Sequence, residues 1–207
     1  MAEIPAGVST VQEEVKQALG DKLKSLAVYG RALRKILVLV DAVTPEILDA
    51  LAKPIINARK DNLFVLVATP HDIHTSADVF PVRYLEIKKT HKPLEGEDFL
   101  STLEIHEDHL KLRTEQELKS GMFRLRQAYV TASIAPKRAV HELGEVLRAT
   151  LPAVELLKER CEAAKGLDTS ALELDSPPSE DVAREVIGKI HEVVASAGGL
   201  ADEWNKG

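Results

Sequence analysis

The sequence contains a single cysteine, Cys161, and few aromatic residues. One cysteine can form neither a disulfide within the chain nor a cysteine-based metal cluster, which fits a reducing compartment. Aromatic residues make up 4% of the chain, so few side chains could stack on exposed nucleic-acid bases. No apolar run approaches the length of a membrane-spanning helix, and the N-terminal segment lacks a signal-peptide pattern. The composition therefore predicts a cytoplasmic protein without a membrane partner.

The charge balance limits the partners further, because the formal net charge is −6. An acidic chain is poorly suited to general binding of a nucleic-acid backbone, although a local basic patch could still bind a nucleotide or RNA. A nucleic-acid partner is therefore an open alternative that the composition does not favour. The 207 residues, of which 44% are hydrophobic and 29% charged, suit two modest globular domains.

Short apolar segments in the first half of the chain predict a small sheet. Leu26–Tyr29 and Ile36–Val40 are separated by six residues, too few for a parallel crossover, so they predict an antiparallel hairpin. The nearly continuous apolar run Leu63–Ala68 predicts a central strand covered on both faces. Alternation in Val82–Lys88 predicts a fourth strand, and the charged segment that follows it reads as a solvated connection.

The periodicity becomes helical from about Asp108 and stays so in the later segments. We therefore predict two domains, an α/β (α+β) domain with a small mixed sheet at residues 1–105 and an α-helical bundle at residues 106–207. Self-association through the helical part would make the protein a homo-oligomer.

Four segments in this order resemble a known family: LAVYG, ILVLVD, DVFPVRYLEIKKTHKPLEGEDFL and LKLRTEQELKSGMFRLRQAY. Together they are similar to bacterial nucleotidyltransferase-domain proteins of the DNA polymerase β-like superfamily, followed by their helical partner domain. The resemblance covers roughly residues 10 to 130 and is most specific from Asp78 to Tyr129. It implies that residues 1–105 form a nucleotidyltransferase-like domain.

Active members of that family carry a Gly-Ser turn, an Asp-x-Asp pair and a third carboxylate, which hold two divalent metals around the triphosphate. In this sequence the turn is Gly30-Arg31, and no acidic residue lies between Gly30 and Asp41. Asp41 follows the second strand rather than entering it. Arg83 stands where the third carboxylate is expected, and Glu86 would point to the opposite face of a strand. The resemblance thus predicts loss of transferase activity, no cofactor, and a binding or interaction role with a nucleotide or protein partner.

Two enzymatic alternatives stay open at this point. In the first, an unrecognised carboxylate set of Asp41, Asp72 and Asp78 binds Mg²⁺ and supports nucleotidyl transfer from a nucleoside triphosphate. In the second, Arg184 and His191 of the helical domain cleave RNA, because their spacing resembles the loose Arg-to-His motif of HEPN ribonucleases. Seven positions return both side chains to nearly one face of a helix.

A cationic patch is the main candidate binding site. Arg31, Arg34, Lys35 and Arg83, next to Gly30, could converge at the mouth of the former active site and bind phosphate or RNA. The alternative is that they are solvated charges of an edge strand, which discourage aggregation.

Overall fold

The computed structural model describes residues 3–174 and 176–206. Residues 1, 2 and 207, at the ends of the two predicted domains, and residue 175 lie outside the described part. The chain divides into two compact units, and the boundary falls between Ile105 and His106. The described residues contain a four-stranded mixed sheet and eight α-helices. The prediction of a mixed α/β architecture is confirmed.

The first unit contains all four strands. Its elements are α1 (Gly7–Leu19), β1 (Leu23–Tyr29), β2 (Lys35–Val40), α2 (Pro45–Lys60), β3 (Phe64–Ala68), α3 (Pro70–Ala77), α4 (Pro81–Thr90), β4 (Lys92–Gly96) and α5 (Phe99–Thr102). The strand order is β3-β2-β1-β4. β1 pairs antiparallel with β2, which confirms the predicted hairpin, and also pairs antiparallel with β4. β3 runs parallel to β2, with α2 as the crossover.

Both faces of the sheet carry buried apolar side chains. Because strand side chains alternate, Leu26 and Val28 face one side of the sheet, whereas Ala27 and Tyr29 face the other. The first side packs against α1 and α2, and the second packs against α3, α4 and α5. The sheet is therefore covered on both sides, with its deepest burial in β1 and β2.

The predicted strand Val82–Lys88 is wrong, since this segment belongs to α4. Pro81 occupies the first turn of α4, where its fixed φ favours a helix and its missing N–H costs nothing. Pro81, Tyr84 and Ile87 are buried three residues apart, so a helical period competes with the alternation visible in the sequence. As a result, Arg83 and Glu86 are neighbours on a helix and do not lie on opposite faces of a strand.

The predicted central position of Leu63–Ala68 is also wrong. β3 is an edge strand, and Phe64 is 63% exposed. The segment predicted as a solvated connection supplies β4 instead, at the other edge. Its Pro93 fits there because an edge strand tolerates the loss of one N–H group. The inner strands are β1 and β2, so the charges at Arg34 and Lys35 do not belong to an edge strand.

The second unit is built from α6 (Glu107–Thr131), α7 (Pro136–Arg160) and α8 (Ala183–Lys206). These helices surround one apolar cluster, in which Leu118, Leu143 and Ile190 are almost fully buried. Gly121 of α6 lies against Thr150 of α7, where the two helices approach closely. None of the helices in the described residues is long and apolar enough to cross a membrane.

Candidate functional site

The connection between β1 and β2 is a tight turn. The N–H of Leu33 donates to the carbonyl of Gly30 at 2.9 Å. Gly30 has a φ of 87°, which glycine adopts without a steric penalty, and the buried Leu33 also has a positive φ of 49°. The five residues between the two strands include no carboxylate. The turn therefore presents backbone and cationic side chains at this end of the sheet.

Helix α4 packs against the same end of β1. The N–H of Gly30 donates to Thr90 Oγ1 at 2.9 Å, which fixes the last turn of α4 beside the start of the connection. Arg83, two turns earlier, interacts with the Tyr29 hydroxyl through both its charge and a hydrogen bond. Lys35 Nζ lies 5.9 Å from the centroid of the Tyr29 ring. Gly30, Lys35 and Arg83 thus converge on Tyr29.

The phenol of Tyr29 has a perturbed environment. Burial raises the pKa of Tyr29 above its ordinary value, the Arg83 guanidinium opposes that shift, and Tyr84 and Glu86 add to it. A phenol with a raised pKa stays protonated at neutral pH, so it does not neutralise the adjacent cations. Glu86 is the carboxylate identified beside it, and its charge offsets part of the positive potential.

The two remaining members of the predicted patch are less closely tied to Tyr29. Arg34 is exposed, and its Nη1 donates to the carbonyl oxygen of Asp61 at 3.4 Å, beyond the end of α2. Arg31 is exposed in the turn and has an interaction of its own. The structure therefore brings Lys35 and Arg83 to one point and directs Arg34 toward α2. Anion binding at this site stays a prediction.

The three aspartates of the first enzymatic alternative have other structural roles. Asp41 follows β2 at the end opposite Gly30, about 20 Å along a six-residue strand, and pairs with Lys24 at 3.1 Å. Asp72 belongs to the capping box of α3: the Thr69 N–H donates to Asp72 Oδ2 at 2.8 Å, and the Asp72 N–H donates to Thr69 Oγ1 at 3.0 Å. Asp78 is the residue that caps the C-terminal end of α3.

A Mg²⁺ pair needs several carboxylate oxygens around one point. Within residues 3–174 and 176–206, no group of three histidine, cysteine or acidic side chains has the geometry to hold a metal ion. Asp41, Asp72 and Asp78 accordingly do not form such a group, and the residues present do not fit the metal site of an active transferase.

Arg184 and His191 have separate partners on α6. The Nε–H of Arg126 donates to His191 Nε2 at 3.1 Å, so that nitrogen already accepts a hydrogen bond. The Arg184 guanidinium carbon lies 4.6 Å from the centroid of the Tyr129 ring, a cation–π contact. Seven residues apart on α8, the two side chains are separated by about 10 Å along the helix axis. Both contacts join α8 to α6.

Sequence reasoning missed Tyr29 and Thr90 as parts of the candidate site. Tyr29 ends a strand directly before a glycine turn, which is a detectable signal for a residue at the mouth of a site. Thr90 could not be found, because its role depends on the packing of α4 against β1.

Comparison with known proteins adds no assignment. No family model matches the chain, and no curated protein matches its sequence. The fold defines the chain as a two-unit protein, in which a unit with a mixed α/β sheet is followed by a helical unit.

Proposed function

We propose that this chain is a non-catalytic binding protein on a nucleotidyltransferase-like scaffold, and that the end of its sheet around Tyr29 binds a phosphate-bearing ligand such as a nucleotide. One observation carries the proposal: Lys35 and Arg83 converge on Tyr29 next to Gly30, at the hairpin end of the sheet. In active relatives of the proposed scaffold, this end holds metal-binding carboxylates.

The chemistry of this end suits an anion directly bound by protein cations. An ammonium and a guanidinium on one rim attract phosphate without a bridging metal, and Arg83 can donate two parallel hydrogen bonds. The protonated Tyr29 hydroxyl adds a neutral donor. Glu86 lowers the local positive charge, so we expect modest affinity with a strong dependence on ionic strength.

The placement of the carboxylates supports a non-catalytic role over nucleotidyl transfer. Asp41 lies at the far end of β2, and Asp72 is engaged in the cap of α3. A transferase using Asp41, Asp72 and Asp78 with Mg²⁺ is the alternative that the experiment must separate from simple binding.

The test is a thermal-shift and calorimetric titration of the full chain with ATP, GTP, CTP and UTP, each with and without Mg²⁺. A ligand that binds only the folded state raises the melting temperature. We expect stabilisation without a requirement for Mg²⁺, and at least tenfold weaker binding in Lys35→Gln and Arg83→Gln. The control Lys53→Gln removes an exposed cation from α2 and should bind like the wild type.

The outcomes decide between the alternatives. No shift at millimolar nucleotide, or equal binding in all three variants, would show the proposal to be wrong. Binding that requires Mg²⁺, together with incorporation of labelled nucleotide, would establish the transferase instead. Carboxylate substitutions at Asp41, Asp72 and Asp78 would then abolish incorporation.

A further inference from the structure

The two edges of the sheet differ in how they are protected. At one edge, β4 carries Lys92, Pro93 and Glu95, and its backbone carbonyl at Leu94 accepts a hydrogen bond from Gln12 Nε2 at 3.0 Å. At the other edge, all five residues of β3 are uncharged and apolar, with no proline. Proteins usually guard an edge strand with charge, proline or a covering element, because an open apolar edge pairs with other strands.

The backbone groups that β3 leaves open can be identified. The N–H of Phe64 donates to the Arg34 carbonyl at 2.9 Å, so Phe64 points its backbone groups toward β2. Because these groups alternate along a strand, Leu66 and Ala68 do the same, whereas the N–H and C=O of Val65 and Val67 point outward.

The residues flanking β3 have their N–H groups satisfied. The N–H of Leu63 donates to the Ala58 carbonyl at 2.9 Å, and the N–H of Thr69 donates to Asp72 Oδ2 at 2.8 Å. Among the residues that the structure describes, the open part of the edge is therefore limited to the groups of Val65 and Val67 and the carbonyl of Leu63. Only a short strand can pair with it.

We propose that β3 pairs with β3 of a second copy of this chain, antiparallel and centred on Leu66, so that the two sheets join into one. In this register Val65 lies opposite Val67 of the second copy, and the two pairs form four hydrogen bonds that use all their outward groups. Leu66 meets its own counterpart on the two-fold axis. Phe64 lies opposite Ala68, so a large side chain meets a small one.

Exposed apolar side chains next to this edge support pairing with a second copy of the chain. On the strand, Phe64 is 63% and Leu66 37% exposed. On α2, which packs on the other face of the sheet, Leu48 is 44% exposed. A two-fold axis through Leu66 places the α2 helices of the two copies side by side on one face.

The orientation of α2 agrees with this arrangement. Asn57 faces α1, since its Nδ2 donates to Glu14 Oε1 at 2.9 Å. Successive residues of a helix are rotated by about 100° around its axis. Leu48 is therefore turned about 100° from the buried Ile47 on one side of α2, whereas Asn57 is turned to the other side. Because Asn57 faces α1, Leu48 faces away from α1. α1 contacts β1 and α2 contacts β3, so the flank with Leu48 is on the side of the open edge.

The polarity of α2 also favours a second copy, and the exposed apolar area indicates how strong the association would be. A two-fold axis makes the two α2 helices antiparallel, so the opposite ends of their helix dipoles lie together. At about 180 Å² for each large apolar side chain when fully exposed, Phe64, Leu66 and Leu48 offer roughly 260 Å² per copy. This is below the roughly 800 Å² per partner of a standard interface, so we expect a reversible dimer that dissociates on dilution.

The experiment measures the mass of the full chain in solution by light scattering and by sedimentation over a range of concentrations. We expect the 22.7 kDa chain to approach twice that mass at high micromolar concentration. Leu66→Lys places like charges at the two-fold axis and should remain monomeric. Phe64→Lys replaces the apolar contact with Ala68 of the second copy by a charge and should weaken the dimer. The control Val130→Lys changes a 66% exposed residue of α6 and should dimerise like the wild type.

Two further measurements test the register. An equimolar mixture of Leu66→Lys and Leu66→Glu should recover the dimer, because residue 66 of one copy faces residue 66 of the other. Hydrogen exchange of Val65 and Val67 should be slow in the dimer and fast after dilution, whereas Phe64 should be protected in both states.

The proposal is overturned if the wild type is monomeric at high concentration, or if Leu66→Lys dimerises normally. It is also overturned if Val130→Lys abolishes the dimer while Leu66→Lys does not, since the helical unit would then hold the copies together. Monomeric wild type that gains protection at Val65 and Val67 only with an unrelated extended peptide would assign the edge to another protein.

Discussion

The sheet unit and the helical unit both depend on glycine, but for different physical reasons. In the sheet, Gly96 has a φ of 72°, and a Cβ there would lie 2.0 Å from the Lys24 carbonyl oxygen. In the helical unit, Gly121 has ordinary helical geometry, and a Cβ would lie 2.2 Å from Thr150 Cγ2. The sheet thus needs a backbone conformation as well as space, whereas the helices need space alone.

Gly96→Ala should have the largest effect. Alanine combines a disfavoured positive φ with a clash against backbone that cannot move without breaking the pairing of β1 with β4, so we expect a loss of about 2–4 kcal/mol. Gly20→Ala separates the two causes, because Gly20 also has a positive φ but nothing within 4 Å of a Cβ. Chemical denaturation gives both free energies of unfolding. Equal losses in the two variants would contradict the role assigned to the clash.

Gly121→Ala should destabilise by a smaller amount, about 1–3 kcal/mol, because Thr150 is fully buried and has little room to move. Thr150→Ser removes the clashing methyl group, so the double variant should recover much of the loss. Gly144→Ala is the control in α7, where a Cβ meets nothing within 4 Å, and should stabilise by about 0.5–1 kcal/mol through helix propensity.

Trp204, the only tryptophan, lies in α8 and provides a fluorescence signal from the helical unit. The transition followed by this signal should shift in Gly121→Ala. Additive losses in Gly121→Ala and Thr150→Ser, with no recovery in the double variant, would argue against a direct contact between the two positions.

The smallest effect is expected at the start of α3. The backbone N–H of Thr69 and then its side chain hold the pKa of Asp72 below its ordinary value. Since the folded pKa is lowered, the stabilisation is complete at neutral pH and is lost as the pH falls from about 4 through the folded value. Asp72→Ala should therefore lower the melting temperature at pH 7, and the difference from the wild type should shrink toward pH 2.

Asp49→Ala is the matched control, because it removes the same charge from an exposed position on α2 that has no capping role. Melting curves between pH 7 and pH 2 test the comparison. A difference between wild type and Asp72→Ala that stays constant with pH would show that the carboxylate does not stabilise the cap.

Local patterns predicted a substantial part of this fold. The short connection after Tyr29 predicted the antiparallel hairpin that β1 and β2 form. Thr44 and Pro45 are an equally local signal, since Thr44 Oγ1 accepts a hydrogen bond from the Ile47 N–H at the start of α2. These signals act within a few residues, so they can be read without knowledge of the rest of the chain. The switch to a helical period near Asp108 is of the same kind.

The errors arose where two local patterns competed or where the answer depended on distant chain segments. Val82–Lys88 fits both an alternating and a helical period. The helix forms because Pro81 favours a helix start and because one side of the helix packs against the sheet. The apolar run at β3 predicted a strand correctly but not its position, because no other strand pairs with its outer side in the described chain. A one-dimensional pattern does not give the order of strands.

The candidate site was predicted in part. Lys35 and Arg83 were named from the sequence, and the structure brings both to Tyr29. Arg83 was predicted to lie on a strand, whereas it reaches Tyr29 from helix α4. Arg34 was expected beside them but lies against the Asp61 carbonyl, since it precedes β2 on the side of α2.

The sequence by itself determined the hairpin and the lack of a carboxylate between Tyr29 and Asp41, since both follow from residue type and spacing. Only the tertiary structure decided that β3 is an open edge, that α4 brings Arg83 and Thr90 to the end of β1, and that Asp41 and Gly30 lie at opposite ends of one strand. The physical reason is that hydrogen-bonded turns and helix caps are local, whereas strand order and the docking of a helix on a sheet depend on which apolar surfaces are buried together.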